Sequence, residues 1–204
     1  MKPALIIVDM QNDFVHKDGY IALMMKTHPS FDLEFYASPI PYIKRLAASF
    51  RAAGKPVIHV TMVLRADYSD ACFPYWRFPE AVERQFLVEG TWGARIVDEL
   101  TPAEDDRVVI KKGYSGFYNT ELEALLRSLD IDTCVLTGVG LDVCVSSTLR
   151  DAVHRMFRAI VVSDATGSFN RETHEATLAG LRHPFADIVT TQEAIEMSTS
   201  SPAA

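Results

Sequence analysis

With 204 residues and 48% hydrophobic content, the chain can bury one full core and is short for two. Twenty Lys or Arg against 27 Asp or Glu leave a formal charge of -7, which argues against nucleic acid or an anionic membrane as the main partner, since either needs a concentrated basic face. Bulk charge does not constrain a small-molecule substrate, because a pocket can be locally basic in an acidic protein.

The first predicted strand is ALIIVD, cut by Asp9 too early for a secretory apolar segment, and no later run reaches membrane-spanning length. A cytoplasmic location follows as the expectation. Cys72, Cys134 and Cys144 are too few and too scattered for a disulfide framework and are read as thiols of a reducing compartment. PYIKRLAASFRAAG then has helical period, Gly54 and Pro56 mark a helix stop and a strand start, and PVIHVTMVL is the second strand. RVVIK, TELEALLRSLDI with a Thr120/Glu123 capping box, DTCVLTGV, DVCVSSTLRDAVHRM, FRAIVVSDA and a helix from Asn170 to Leu181 continue the alternation. Short β-branched runs alternating with helices predict an α/β fold. Its expected form is a three-layer α/β/α sandwich around a mostly parallel, Rossmann-like sheet of about six strands. Residues 1–197 are expected to form one domain, and Ser198 to Ala204, STSSPAA, a disordered tail.

Two stretches break the rhythm: Gly19 to Pro39, and Arg65 to Trp92 with Phe73, Tyr75, Trp76 and Phe78. In open α/β folds ligands sit outside the carboxyl ends of the strands, where such loops gather, so both are candidate pocket walls.

A parallel sheet brings all its carboxyl strand ends to one edge. Asp9 follows ALIIV, Lys111 ends RVVIK, and Cys144 lies one turn past CVLTGV. Taken singly, Asp9 reads as a turn former, Lys111 as a solvated strand end and Cys144 as a small buried hydrophobe. Together they form an acid, an electrostatic partner and a nucleophile. A thiol at a helix start feels the positive end of the backbone dipole, which favours thiolate, and a nearby Lys111 lowers its expected pKa further. The backbone amides of Gly140 and Cys144 are the candidate oxyanion hole. Gln11, Phe14, Trp92, Tyr114 and Phe117 are the candidate pocket residues, and Arg65, Arg77 or Lys112 could meet a substrate carboxylate.

LIIVDMQNDF, VIKKGYSGFYNTELEALL and LTGVGLDVCVSSTLRDA resemble three separate motifs of the isochorismatase-like cysteine hydrolases, within a resemblance running from Ala4 to Ile195. The resemblance implies Asp9 as general base and acid, Lys111 rather than Lys112 as the triad lysine, Cys144 as nucleophile and a cis peptide between Val139 and Gly140. The family's metal-binding nicotinamidases carry paired His after the second strand. This chain has Asp67 but no following His before His154, so no metal or other cofactor is expected. EGTWGARIVDEL with the lysine segment looks most like ureidoacrylate hydrolases, then biuret and N-carbamoyl amino acid hydrolases. The expected function is therefore cleavage of a C–N bond in a small carboxamide or ureido compound, in a homodimer or homotetramer. Isochorismate-type vinyl ether hydrolysis, a redox-active thiol and a non-catalytic binding module are the alternatives.

Overall fold

The computed structural model describes residues 1–26, 28 and 30–199. Its sheet has six strands: β1 (Pro3–Val8), β2 (Val57–Met62), β3 (Arg107–Lys111), β4 (Thr133–Val139), β5 (Arg158–Gly167) and β6 (Asp187–Val189). All pairings are parallel, in the order β3-β2-β1-β4-β5-β6. Every residue of β1, β2 and β4 is buried, which is why these segments read as continuous apolar runs: helices cover both faces of the central strands. Edge strand β3 buries only Val109 and Lys111.

Around the sheet lie α1 (Asn12–Val15), α2 (Tyr20–Met25), α3 (Leu33–Ala37), α4 (Ile40–Ala52), α5 (Pro79–Glu83), α6 (Leu122–Ser128), α7 (Ser146–His154), α8 (Arg171–Leu181) and α9 (Thr191–Thr199). The chain leaves β1 toward β2 but leaves β4 toward β5 in the opposite direction. Right-handed crossovers then put α4 and α7 on opposite faces. α9 packs beside α4, where Ser49 and Ser198 hydroxyls meet at 2.9 Å. The strand order reverses between β1 and β4, and the crevice that opens there is where this architecture places ligands.

Gly138 makes the β1–β4 approach possible. Its φ is +107°, and a side chain there would bring Cβ to 2.0 Å from the Val8 carbonyl oxygen, so only glycine fits.

Two local expectations change. The Thr120/Glu123 capping box does not form: Thr120 Oγ1 accepts from the Leu122 amide at 3.2 Å, while Glu123 turns to Arg155 at 3.1 Å and Arg127 at 3.5 Å. Two cations outcompete one exposed amide for that carboxylate. The expected tail begins too early, because α9 continues through Thr199 with Ser198 buried; residues 200–204 lie outside the described residues. β6 and α9 complete the sheet and the α4 face although neither carried a periodic signal.

Candidate active site

β1 hands the chain to Asp9 in a left-handed backbone conformation, φ 55°, one that costs a non-glycine residue roughly 1–2 kcal/mol and that Asp tolerates better than most. Asp9 is held by its amide donating to the Val60 carbonyl at 2.8 Å and its carbonyl accepting from the Gln11 amide at 2.8 Å. The Gln11 side chain fastens the same corner, donating to the carbonyls of Met62 (2.8 Å) and Ala94 (2.7 Å) and accepting from the Met62 amide (2.9 Å). Lys111 ends β3, two strands from β1, and its long side chain spans the gap over β2.

The three candidate catalytic side chains come together. Lys111 Nζ lies 2.9 Å from Asp9 Oδ2 and 3.5 Å from Cys144 Sγ, and donates to the Gly113 carbonyl at 3.0 Å. Asp9 and Lys111 are inaccessible to solvent and Cys144 is 5% exposed. The Cys144 thiol also hydrogen-bonds toward the Asp9 carboxylate, which places the S–H proton beside the group that would receive it.

Cys144 occupies a π-helical turn, Leu141–Val145, that runs into α7. The Val143 and Val145 amides both donate to the Gly140 carbonyl, at 3.0 and 3.2 Å, and the Val139–Gly140 peptide is cis. Thr148 locks this turn to the lysine segment: its hydroxyl donates to the Cys144 carbonyl at 2.8 Å and accepts from the Gly116 amide at 2.9 Å.

The electrostatics run against the expected lowering of the Cys144 pKa. Burial pushes the Cys144 thiol up; Lys111 offsets part of this, and the adjoining Asp9 carboxylate adds to it. Burial likewise lifts Asp9 above the ordinary carboxylate range despite Lys111. Burial opposes the charge on Lys111, but Asp9 and Cys144 outweigh it and hold the ammonium pKa above its usual value. These directions favour a protonated thiol and a charged lysine and raise the basicity of Asp9, which suits Asp9 to accepting the thiol proton.

Alkaline pH should weaken the fold. Burial raises Cys144 and lifts both Cys134 and Tyr68 to about 12, and Lys111 is also raised. The unfolded chain releases these protons first, so the stability they contribute is complete below their ordinary pKa values and is lost as pH rises. Each group should cost about 1.4 kcal/mol per pH unit between its two pKa values. Urea midpoints at pH 7, 8.5 and 10 should fall steeply above pH 9; a flat profile would contradict the assigned burial.

A cavity of about 370 Å³ opens onto Cys144 and Gly140. Both rhythm-breaking stretches line it, the first through Tyr20, Phe31 and Tyr36, the second through Tyr68, Phe73 and Phe86. Phe14 and Tyr114 also face it, but Gln11, Trp92 and Phe117 do not. Gln11 is consumed by its backbone bonds. Trp92 is 43% exposed and packs edge-on against His16, because the Asn12 side chain donates to its carbonyl at 2.9 Å and fixes the backbone with the ring outside. Phe117 is buried against Phe157, with Arg155 over its ring. Lys112 is spent on Asp70 at 2.8 Å and the Val63 carbonyl at 2.5 Å, and Arg65 points to Asp67 at 3.7 Å.

Two residues escaped the sequence reading. Asp13 ties the two walls together, its carboxylate accepting from the Tyr20 amide at 3.3 Å and the Leu87 amide at 2.8 Å. Tyr36 is buried beside the Leu141–Val145 turn, its hydroxyl 3.3 Å from where a Cβ on Gly140 would sit. Burial first, then the charges of Cys144, Asp9 and Asp142, push its hydroxyl well above the ordinary tyrosine range, so it stays a hydrogen-bond donor.

The chain is similar to several known proteins. The isochorismatase domain model matches residues 3–193. Ureidoacrylate amidohydrolase RutB of Methylobacterium radiotolerans is 37% identical over 216 residues, spanning 98% of this chain and 81% of the relative. The RutB protein of Pseudomonas syringae pv. syringae is 39% identical, spanning 81% of this chain and 72% of the relative. A cysteine hydrolase from Pseudomonas syringae pv. phaseolicola has a TM-score of 0.85 at 29% identity, over 97% of this chain and 93% of its own. N-carbamoylsarcosine amidase from Thermoplasma acidophilum has a TM-score of 0.74 at 30% identity, over the full length of both chains.

Proposed function

The chain belongs to the isochorismatase family and is a hydrolase of non-peptide C–N bonds, and from that premise we propose that it works through an Asp9/Lys111/Cys144 triad and a thioester on Cys144. One observation carries the assignment: Lys111 Nζ stands 2.9 Å from Asp9 and 3.5 Å from the Sγ of Cys144, which itself lines the cavity.

Asp9 takes the S–H proton as Sγ attacks the carbonyl carbon of a carboxamide or ureido group, so thiolate forms only when it is used. The backbone amides of Gly140 and Cys144 receive the oxyanion; removing one such donor typically costs about 3–4 kcal/mol in the transition state. Asp9 then gives the proton to the nitrogen as the C–N bond breaks, and ammonia or an amine departs. Water loses a proton to Asp9 and adds to the thioester. The C–S bond breaks, the acid leaves, and Asp9 returns the proton to sulfur. Lys111 keeps its charge throughout and holds both partners in place. One water is consumed for each C–N bond cleaved.

Hydroxylamine should divert the thioester. During turnover of a carboxamide substrate, added hydroxylamine should yield the corresponding hydroxamate at the expense of the free acid, and intact-mass spectrometry should find an acyl adduct on the Cys144 peptide. Turnover without adduct or hydroxamate would remove the covalent route.

A further inference from the structure

The reactive end of the cavity and its walls differ in chemistry. At the floor are Cys144, Gly140 and the buried Tyr36 hydroxyl. Above it, Phe and Tyr side chains make up more than half of the lining, Phe14, Phe73, Phe86, Tyr114 and Phe169 among them. Among the described residues around it there is no Lys, Arg, Asp, Glu, Asn or Gln. The one ring of basic character, His28, stacks on Phe31 with centroids 5.1 Å apart, and its Nδ1 lies 3.0 Å from the Met24 carbonyl oxygen. Lys111 lies beneath the floor and is engaged by Asp9. The three side chains that could have met a carboxylate, Arg65, Arg77 and Lys112, all lie outside the lining.

Arg77 acts on Tyr114 only from outside the lining, so a carboxylate drawn between these walls would lose its hydration without a lining counter-charge to pair with, whereas an aryl or branched alkyl group would gain ring contacts and apolar burial. Ureidoacrylate, the substrate in the relatives' name, is itself a carboxylate. We infer that this chain acts instead on neutral carboxamides or ureido compounds that carry an aromatic or bulky apolar group, with the amide end at Cys144 and the apolar group between the walls formed by Tyr20–Tyr36 and Tyr68–Phe86. The inference rests on the amidohydrolase reading for its reaction and on the lining alone for its specificity. Asp13, which ties those walls together, then maintains the width of an aromatic slot.

A matched pair tests it. Ammonia release from phenylacetamide and from 4-carboxyphenylacetamide differs only by the added carboxylate, and the purified full chain should favour the neutral member by about 100-fold or more in kcat/KM. Maleamate, ureidoacrylate and N-carbamoylglycine should trail it as well. Calorimetric binding to the Cys144→Ser variant gives the same comparison without chemistry, and the neutral amide should bind more tightly there too. Equal or better turnover of the carboxylates would overturn the specificity inference and leave the amidohydrolase standing. Selective binding of the neutral amide with no ammonia from any compound would overturn the reaction and leave the specificity standing. Neither turnover nor selective binding would overturn the inference.

Discussion

Cys144→Ala should lower amide turnover by at least about 10⁴-fold while leaving the fold intact, as expected when the nucleophile of a concerted catalytic unit is removed. The two halves separate because the thiol does little structural work. The turn that carries it is built from backbone bonds of Val143 and Val145 to Gly140 and from the Thr148 hydroxyl, none of which uses Sγ. Its donor neighbour Lys111, at 3.5 Å, keeps Asp9 and the Gly113 carbonyl when the sulfur is removed, and Asp9 keeps Lys111. Deleting one buried sulfur beside an open cavity should cost about 1 kcal/mol or less, since the cavity already relieves packing there. Thermal melting and ammonia release on the same preparation check both halves. A folded variant retaining more than about 1% of wild-type turnover would remove Cys144 from the chemistry, because uncoupled active-site residues rarely replace a nucleophile. Adding Asp9→Asn to Cys144→Ala should cost little further, since the base has no thiol left to serve.

The parts of the fold and site that were readable in the sequence share a physical cause. β1, β2 and β4 are buried on both faces, so their apolar runs are unbroken, and a parallel sheet sends all strand ends to one edge, so Asp9, Lys111 and Cys144 could be brought together from order alone. β6 could not be read, because three residues carry no period and only pairing with β5 makes Asp187–Val189 a strand. The two irregular stretches were recognisable as walls, but not which of their rings face inward. That depends on short helices and on left-handed residues such as Tyr68, Gln85 and Leu87, whose conformations are imposed by tertiary contacts. Trp92 and Phe117 show the consequence: aromatic residues near the motifs in sequence, yet turned away by Asn12 in one case and Arg155 in the other. The protonation state of Cys144 was likewise invisible, since a helix start and a nearby lysine suggest thiolate until burial is known.

Lys111→Met should uncover what the buried ion pair costs. In the wild type the Asp9 carboxylate has one cation, 2.9 Å away, and no access to solvent. Removing one member of such a pair typically destabilises by about 3–5 kcal/mol, because the remaining charge stays buried. Asp9 has an escape, since burial already raises its pKa and losing Lys111 raises it further. The sign follows: a carboxyl whose folded pKa lies above its unfolded value contributes stability that is complete below the unfolded value and is lost as pH rises through the folded one. The stability deficit of Lys111→Met in urea should therefore be small near pH 4 and grow toward neutrality, while activity should be lost across the range because a protonated Asp9 cannot take the thiol proton. Asp9→Asn combined with Lys111→Met removes both charges and should recover most of the neutral-pH stability, since apolar or neutral replacements of a buried pair are often close to isoenergetic, without recovering turnover. A deficit independent of pH, or a double variant no more stable than Lys111→Met alone, would show that Lys111 supports the fold through its contact with Gly113 and its packing, and that Asp9 carries no buried charge for it to neutralise.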